Sequence, residues 1–256
     1  MKTFRSPFLS VPFAVLLTLV LARFVVAADR KGAHVTQVVH DVRLLTSQTA
    51  SRAATINESI GEGTAVRTGT DSRAELTFAD ESLTRLGANT VFSFGPGHNF
   101  DLTSGAMLLA VPKEAGTAHI TTAAVTAAIS GGVAMIESHK NSWRKFIVLE
   151  GQGVITIKGT NQSITLFPGQ IVALPPGATK FTKVQNIDLE KLTKKSLLLR
   201  FSKMPHWAKL LVDKQVEKQH ISPPAGGVTD PSGFDAIDQR AASQTPPPIH
   251  TPRPPG

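Results

Sequence analysis

Gly63-Thr64-Ala65-Val66-Arg67-Thr68-Gly69-Thr70-Asp71-Ser72-Arg73-Ala74-Glu75-Leu76-Thr77-Phe78-Ala79-Asp80-Glu81-Ser82-Leu83-Thr84-Arg85-Leu86-Gly87 is the stretch on which the fold turns. Within it Ala74, Leu76 and Phe78 alternate with Arg73, Glu75 and Thr77. A strand sends successive side chains to opposite faces, so period two predicts the first set in a core and the second on water. Thr68-Gly69 and Ala79-Asp80-Glu81 bracket that strand with turn chemistry.

Working outward, His34-Val35-Thr36-Gln37-Val38-Val39 reads as an opening strand. Val154-Ile155-Thr156-Ile157-Lys158 and Ser163-Ile164-Thr165-Leu166 repeat the half-buried pattern. Ala106-Met107-Leu108-Leu109-Ala110-Val111 is apolar on both faces, which predicts a central strand covered on two sides. Turn signals recur at Gly95-Pro96-Gly97, Ser104-Gly105, Gly131-Gly132, Gly159-Thr160-Asn161, Pro168-Gly169 and Pro175-Pro176-Gly177. Short strands spaced by turns at roughly 8–12 residues predict an all-β sandwich, barrel or coil. This β region is assigned to residues 29–186 and expected to fold alone.

The texture changes near Ile187. Residues 187–203 read as a helix with Leu189, Leu192 and Leu199 near one face. Pro205 suits the first turn of a second helix, which carries Trp207, Leu210 and Leu211 and ends before Pro223. This helical pair, residues 187–221, holds eight basic residues against four acids. Residues 222–256 contain nine prolines and are expected to form a disordered Pro-rich tail.

At the other end, Lys2 and Arg5 precede an apolar run over residues 8–22, and Ala27-Ala28 supplies a small-residue exit. Those are the parts of a secretory signal peptide, assigned to residues 1–28. A retained anchor is the alternative, but the run is shorter than the roughly 20 apolar residues a bilayer needs. Export to the periplasm or beyond is the expectation. Removing the peptide takes away Lys2, Arg5 and Arg23 and no acid, leaving a net charge of +5 in place of +8. Most of that surplus belongs to residues 187–221, so the charge does not line the β region as a nucleic-acid binder requires.

Composition closes off several chemistries. There is no cysteine, so disulfides, thiol nucleophiles and Cys-ligated metals are excluded. The eight histidines are scattered, with His34 and His40 the nearest approach to a pair, and none forms a metal-binding spacing. Gly61-Glu62-Gly63 begins like a dinucleotide fingerprint, but Val66 stands where the third glycine belongs. No serine lies in G-x-S-x-G. No catalytic residue, metal or cofactor is assigned.

The block from Gly63 to Gly87 resembles the core signature of FecR-type domains, the family named for the iron-dicitrate sensor of bacterial envelopes. Its pattern runs G-x-x-V-x-T-G-x-x-S-x-A-x-L, then a polar turn, then a strand with an R-L pair. Leu149-Glu150-Gly151-x-Gly153-Val154 and Pro168-Gly169-Gln170 resemble the family's closing strands, so the likeness spans roughly residues 55–178. It implies an all-β envelope domain, coiled into two layers or a short solenoid-like arrangement, with no active site. FecR sensors proper carry a cytoplasmic anti-sigma segment and a transmembrane helix before this domain. The short leader here leaves no place for them, so sigma-factor control is not expected.

The expected function is non-catalytic binding in the envelope, to a protein partner or an anionic surface polymer or membrane surface. A structural scaffold, or an accessory to FecR-like surface signalling, is the alternative. Arg67 and Arg85 have no packing role in the signature, and either ion-pair with Glu75 or Asp80 or face a ligand. Lys191, Lys194, Lys195 and Trp207 are the candidates on the helical pair for contact with an anionic surface.

Overall fold

The computed structural model describes residues 32–46 and 49–230. The expected signal peptide, and the tail from residue 231 on, lie outside the described residues. Fifteen strands follow in chain order: β1 (Gly32–Val39), β2 (Val42–Thr46), β3 (Thr49–Ala53), β4 (Ser59–Gly61), β5 (Ala65–Thr68), β6 (Arg73–Phe78), β7 (Leu83–Leu86), β8 (Val91–Gly95), β9 (Asn99–Val111), β10 (Thr117–Thr121), β11 (Val125–Ser138), β12 (Arg144–Ile157), β13 (Ser163–Leu166), β14 (Gln170–Leu174) and β15 (Gln185–Asn186). Three helices close the order: α1 (Leu189–Lys195), α2 (Leu197–Arg200) and α3 (His206–Ile221).

The strands form two layers, and three long strands belong to both. Residues 99–104 of β9 pair with β8, whereas 105–111 pair with β7 and β11. β11 pairs with β10 through residues 126–130 and with β9 through 132–138. β12 pairs with β14 at its start and β13 at its end. One layer therefore runs β4-β1-β6-β7-β9-β11-β12-β14-β15, and the other β3-β2-β5-β8-β9-β10-β11-β12-β13.

Glycines make these crossings possible. Gly105 has φ +104°, and a Cβ there would lie 2.4 Å from the Thr90 Cα. A Cβ on Gly132 would lie 2.1 Å from the Glu150 carbonyl oxygen, where β11 and β12 bend together. Neither contact is with a flexible side-chain tip, so only glycine fits.

Between the layers sits the main core, with Leu44, Leu76, Phe92, Leu102, Met107, Ile120 and Ile129 fully buried. Burying each such side chain contributes about 1.5–3 kcal/mol. The expected two-layer all-β fold is the one found. Ala106–Val111 lies in it as a central stretch buried on both faces.

The signature turn is a polar staple at one end of the sandwich. Thr68 Oγ1 donates to the Gly87 carbonyl at 2.6 Å and accepts from the Thr90 N–H at 2.9 Å. Ser72 Oγ donates to the Thr70 carbonyl and accepts from the Asp41 N–H. Thr90 Oγ1 donates to the Ala106 carbonyl and accepts from the Ala106 N–H. These hydroxyls are buried, and each satisfies backbone groups that turning strands leave unpaired.

A second core covers the other side of the first layer. Leu83, Leu108, Met135, Ile147 and Leu149 pack under Leu189, Leu192, Leu198, Leu199, Ala208 and Val212 of the helices. The described residues fall in one compact unit, and the boundary set at residue 186 runs through this shared core.

Three expectations change here. The run 187–203 is broken at Ser196, which ends α1 and accepts from the Leu199 N–H to cap α2. α3 buries Ala208 and Val212 in place of Leu210, which is 58% exposed, because the contact face is rotated from the one the leucines suggested. Residues 222–230, read as the start of a disordered tail, return to the sheet through a parallel bridge between Ile187 and Thr229.

Candidate partner-binding site

The six residues singled out from sequence do not converge. Arg85 lies on β7 opposite Glu75 on β6 and is 0% exposed. Its Nε donates to Glu75 Oε2 at 2.8 Å. Nη1 donates to the Leu198 and Leu199 carbonyls at 2.8 and 3.1 Å, and Nη2 to the Ser202 carbonyl and hydroxyl at 3.0 Å. All five donors are spent on the end of α2 and on Glu75, which also accepts from Thr36 and Ser202. Burial pulls the guanidinium below its ordinary value, and Glu75 opposes that shift. Arg85 is a buried clamp between sheet and helices and faces no ligand. Glu75, expected on water, is buried because the helical layer covers that face.

Arg67 is exposed on the outer face of β5, opposite Arg43 of β2. Arg43 is engaged by Asp41 at 3.0 Å. Lys191, Lys194 and Lys195 are exposed, but each is set against an acid. Lys191 lies 3.6 Å from Asp188 and 3.7 Å from Asp230, Lys195 lies 3.7 Å from Asp230, and Lys194 pairs with Glu190. Lys194 holds the Glu190 carboxyl below its ordinary value. Trp207 is half-buried against the second core, and its indole nitrogen is buried without an acceptor among the described residues. It packs; it does not present itself to a surface.

The feature that sequence reasoning missed is a groove at the far edge of the first layer. It encloses about 350 Å³ and is lined mainly by apolar surface. Ile171 of β14 and Ile187 form part of its lining, Trp143 and Lys145 stand on the β12 side, and Lys183 and Asp230 complete the rim. The β11–β12 turn, closed by the Ser142 N–H on the His139 carbonyl, brings Trp143 there and leaves it 45% exposed. Thr182 holds the opposite wall, its N–H donating to the Ala173 carbonyl at 2.9 Å.

Behind the wall, Glu137 on β11 is 1% exposed. Its carboxylate lies 3.4 Å from His139 Nε2 and 3.8 Å from Lys145 Nζ. A buried carboxylate beside a lysine holds that cation in place at the rim. The arrangement can grip an apolar side chain next to a negative charge. Its sequence signal was available: Trp143 is one of two tryptophans and sits in the polar turn His139-Lys140-Asn141-Ser142. A large aromatic beside an apolar groove is the kind of side chain that anchors a contact surface.

Among the described residues no group of three or more His, Asp or Glu side chains has metal-holding geometry. No described helix is long and apolar enough to cross a membrane.

Comparison with known proteins bears on the sandwich. The FecR protein family matches residues 64–137, under a third of the chain. No curated protein matches. Two crystal structures of candidate anti-sigma factors from Parabacteroides distasonis are similar. One, at 2.50 Å, is 14% identical over 50% of this chain and 62% of its own, with TM-score 0.45. The other, at 1.65 Å, is 13% identical over 60% of this chain and 75% of its own, with TM-score 0.46. The chain thus spans less than two thirds of the first of these proteins. The match begins at Thr64 and takes in the Thr68–Ser72 staple, the Arg85 clamp and both crossings at Gly105 and Gly132, so it is residues 64–137 that are similar to the FecR protein family.

Proposed function

We propose that this protein is exported to the bacterial envelope and there binds a protein partner, without catalysis, through the groove beside Trp143. The observation that carries the reading is the groove itself: an exposed tryptophan over an apolar lining, with Lys183 at the rim. Protein interfaces are anchored by such aromatics in pockets, with charge at the edge. A protein partner is preferred to an anionic polymer because Lys191, Lys194 and Lys195 already face acids. The leader over residues 1–28 supports export.

The test is a photoreactive p-benzoylphenylalanine in place of Trp143, compared with the same group in place of Val154 on the outer face of the other layer. Irradiation of expressing cells should give a discrete adduct from position 143 alone. Lys183→Glu should weaken it. Equal labelling from both positions, or none from position 143, overturns the reading.

A further inference from the structure

We propose that the protein holds a linear, largely uncharged glycan chain in a cleft centred on Phe167. The site is separate from the groove at Trp143 and rests on none of its residues.

The cleft starts at Leu149-Glu150-Gly151-x-Gly153, where β11 and β12 bend from one layer into the other. The register of β11 on β12 shifts between Ser130 and Val133, which makes a bulge. A bulge takes its extra residue out of the ladder and bends the strand. A Cβ on Gly151 would lie 2.3 Å from the Gly131 carbonyl oxygen, so the strands meet there backbone to backbone. Beside this bend lies a groove of about 530 Å³, lined in part by Gly131, Gly151 and Phe167. A second groove, of about 290 Å³, shares Phe167 and reaches Gln215 of α3. Two grooves meeting at one aromatic suit a chain longer than a single ring.

The side chains of the first groove form a row. Thr117 of β10 pairs with Ser130 of β11, and Ser130 pairs with Gln152 of β12. The Thr117 and Ser130 hydroxyls lie 2.9 Å apart. Leu166 of β13 pairs with Gly153, so the next residue, Phe167, comes beside Gln152. Each strand thus contributes one polar or aromatic group, at the inter-strand spacing of about 4.7–4.9 Å. That spacing is close to the advance of one pyranose ring in an extended glycan, so rings and strands stay in step. Phe167 is 52% exposed and offers its electron-rich face to the C–H side of a sugar ring.

The polar groups fit hydroxyls in place of charges. The Gln152 amide is exposed and both donates and accepts, as a sugar hydroxyl does. Gln215 Nε2 donates to Glu150 Oε2 at 2.5 Å and so joins the two grooves. Glu150 is 8% exposed, and its Oε1 receives no donor among the described residues, which leaves an acceptor for a ligand O–H. Lys113 and Lys218 are the only other charged residues along both grooves, too few for a polyanion. Glycoside cleavage takes a pair of carboxylates flanking the bond. Glu150 is the single acid in these linings, so the chain is held and not cut.

The experiment is calorimetric titration of the purified full chain with chitotetraose, cellotetraose, laminaritetraose and maltotetraose. At least one should bind, with an affinity unchanged between low and physiological salt. Phe167→Ala should weaken that binding about tenfold, and Gln152→Ala about threefold. Both side chains are exposed, so thermal melts of the variants should match the wild type. Trp143→Ala should bind as the wild type does. Binding by none of the four overturns the inference, as does binding that salt abolishes or that Phe167→Ala leaves intact. The photocrosslink at position 143 reads the other groove, so either result stands without the other.

Discussion

Replacing Arg85 with methionine tests whether the helices are fastened to the sheet as described. The variant keeps a long side chain but removes all five N–H donors. It leaves the Glu75 carboxylate 6% exposed, with only the Thr36 and Ser202 hydroxyls as partners. It also orphans the Leu198, Leu199 and Ser202 carbonyls. Removing one member of a buried ion pair costs about 3–5 kcal/mol, because the other charge stays buried and uncompensated. For a chain of this size that corresponds to roughly 6–20 °C in Tm, at about 2–4 °C per kcal/mol. Urea unfolding of wild type, Arg85→Met, Glu75→Leu and the double variant closes a thermodynamic cycle. The double variant should recover about 2 kcal/mol relative to the sum of the singles, since it buries no lone charge. Arg85→Lys should recover less than half of the loss, because one ammonium cannot serve acceptors spread from Glu75 to Ser202. An Arg85→Met loss below about 1 kcal/mol would refute the clamp, as would a full rescue by lysine.

Three further outcomes follow from the same structure. Gly132→Ala should destabilise by about 3 kcal/mol in urea, because its Cβ meets the Glu150 carbonyl oxygen, whereas Gly177→Ala, with φ +70° and open space around it, should cost only about 1–2 kcal/mol; equal losses would remove the steric account of the bend. Arg52 holds the Glu58 carboxyl below its ordinary value, so the folded state favours the ionised form. That contribution is complete above the ordinary carboxylate range and is lost as pH falls through the folded pKa; the acid limb of a pH–stability curve should therefore flatten in Glu58→Gln, and an unchanged limb would contradict it. A chain ending at residue 186 should aggregate or melt without cooperativity, because Leu83, Leu108, Met135 and Leu149 lose their cover, and a monodisperse, sharply melting product would show that the helices are dispensable.

What the sequence by itself determined is the local stereochemistry. The alternation over Arg73–Phe78, the doubly apolar Ala106–Val111 and the turn at Gly69 are consequences of pleat and φ, whereas Gly105 and Gly132, read as turns, lie inside β9 and β11 where those strands cross between the layers. The resemblance of the Gly63–Gly87 block was legible because its residues carry their own closures: Ser72 bonds Thr70 two positions back, and Thr68 reaches Gly87 at the far end of the same block. Tertiary structure decided which faces are wet. Glu75 and Arg85 sit on the face that alternation assigns to water, and they are dry because helices arriving 113 positions later lie across it. The same packing chose the buried face of α3, broke the helix at Ser196 and paired the exposed lysines with acids. The groove has the same origin: Trp143, Ile171, Lys183 and Asp230 share no periodicity, and only the folding of three edges onto one corner brings them together. Pleat and turn are set by neighbouring residues, whereas burial depends on whatever distant surface comes to cover them.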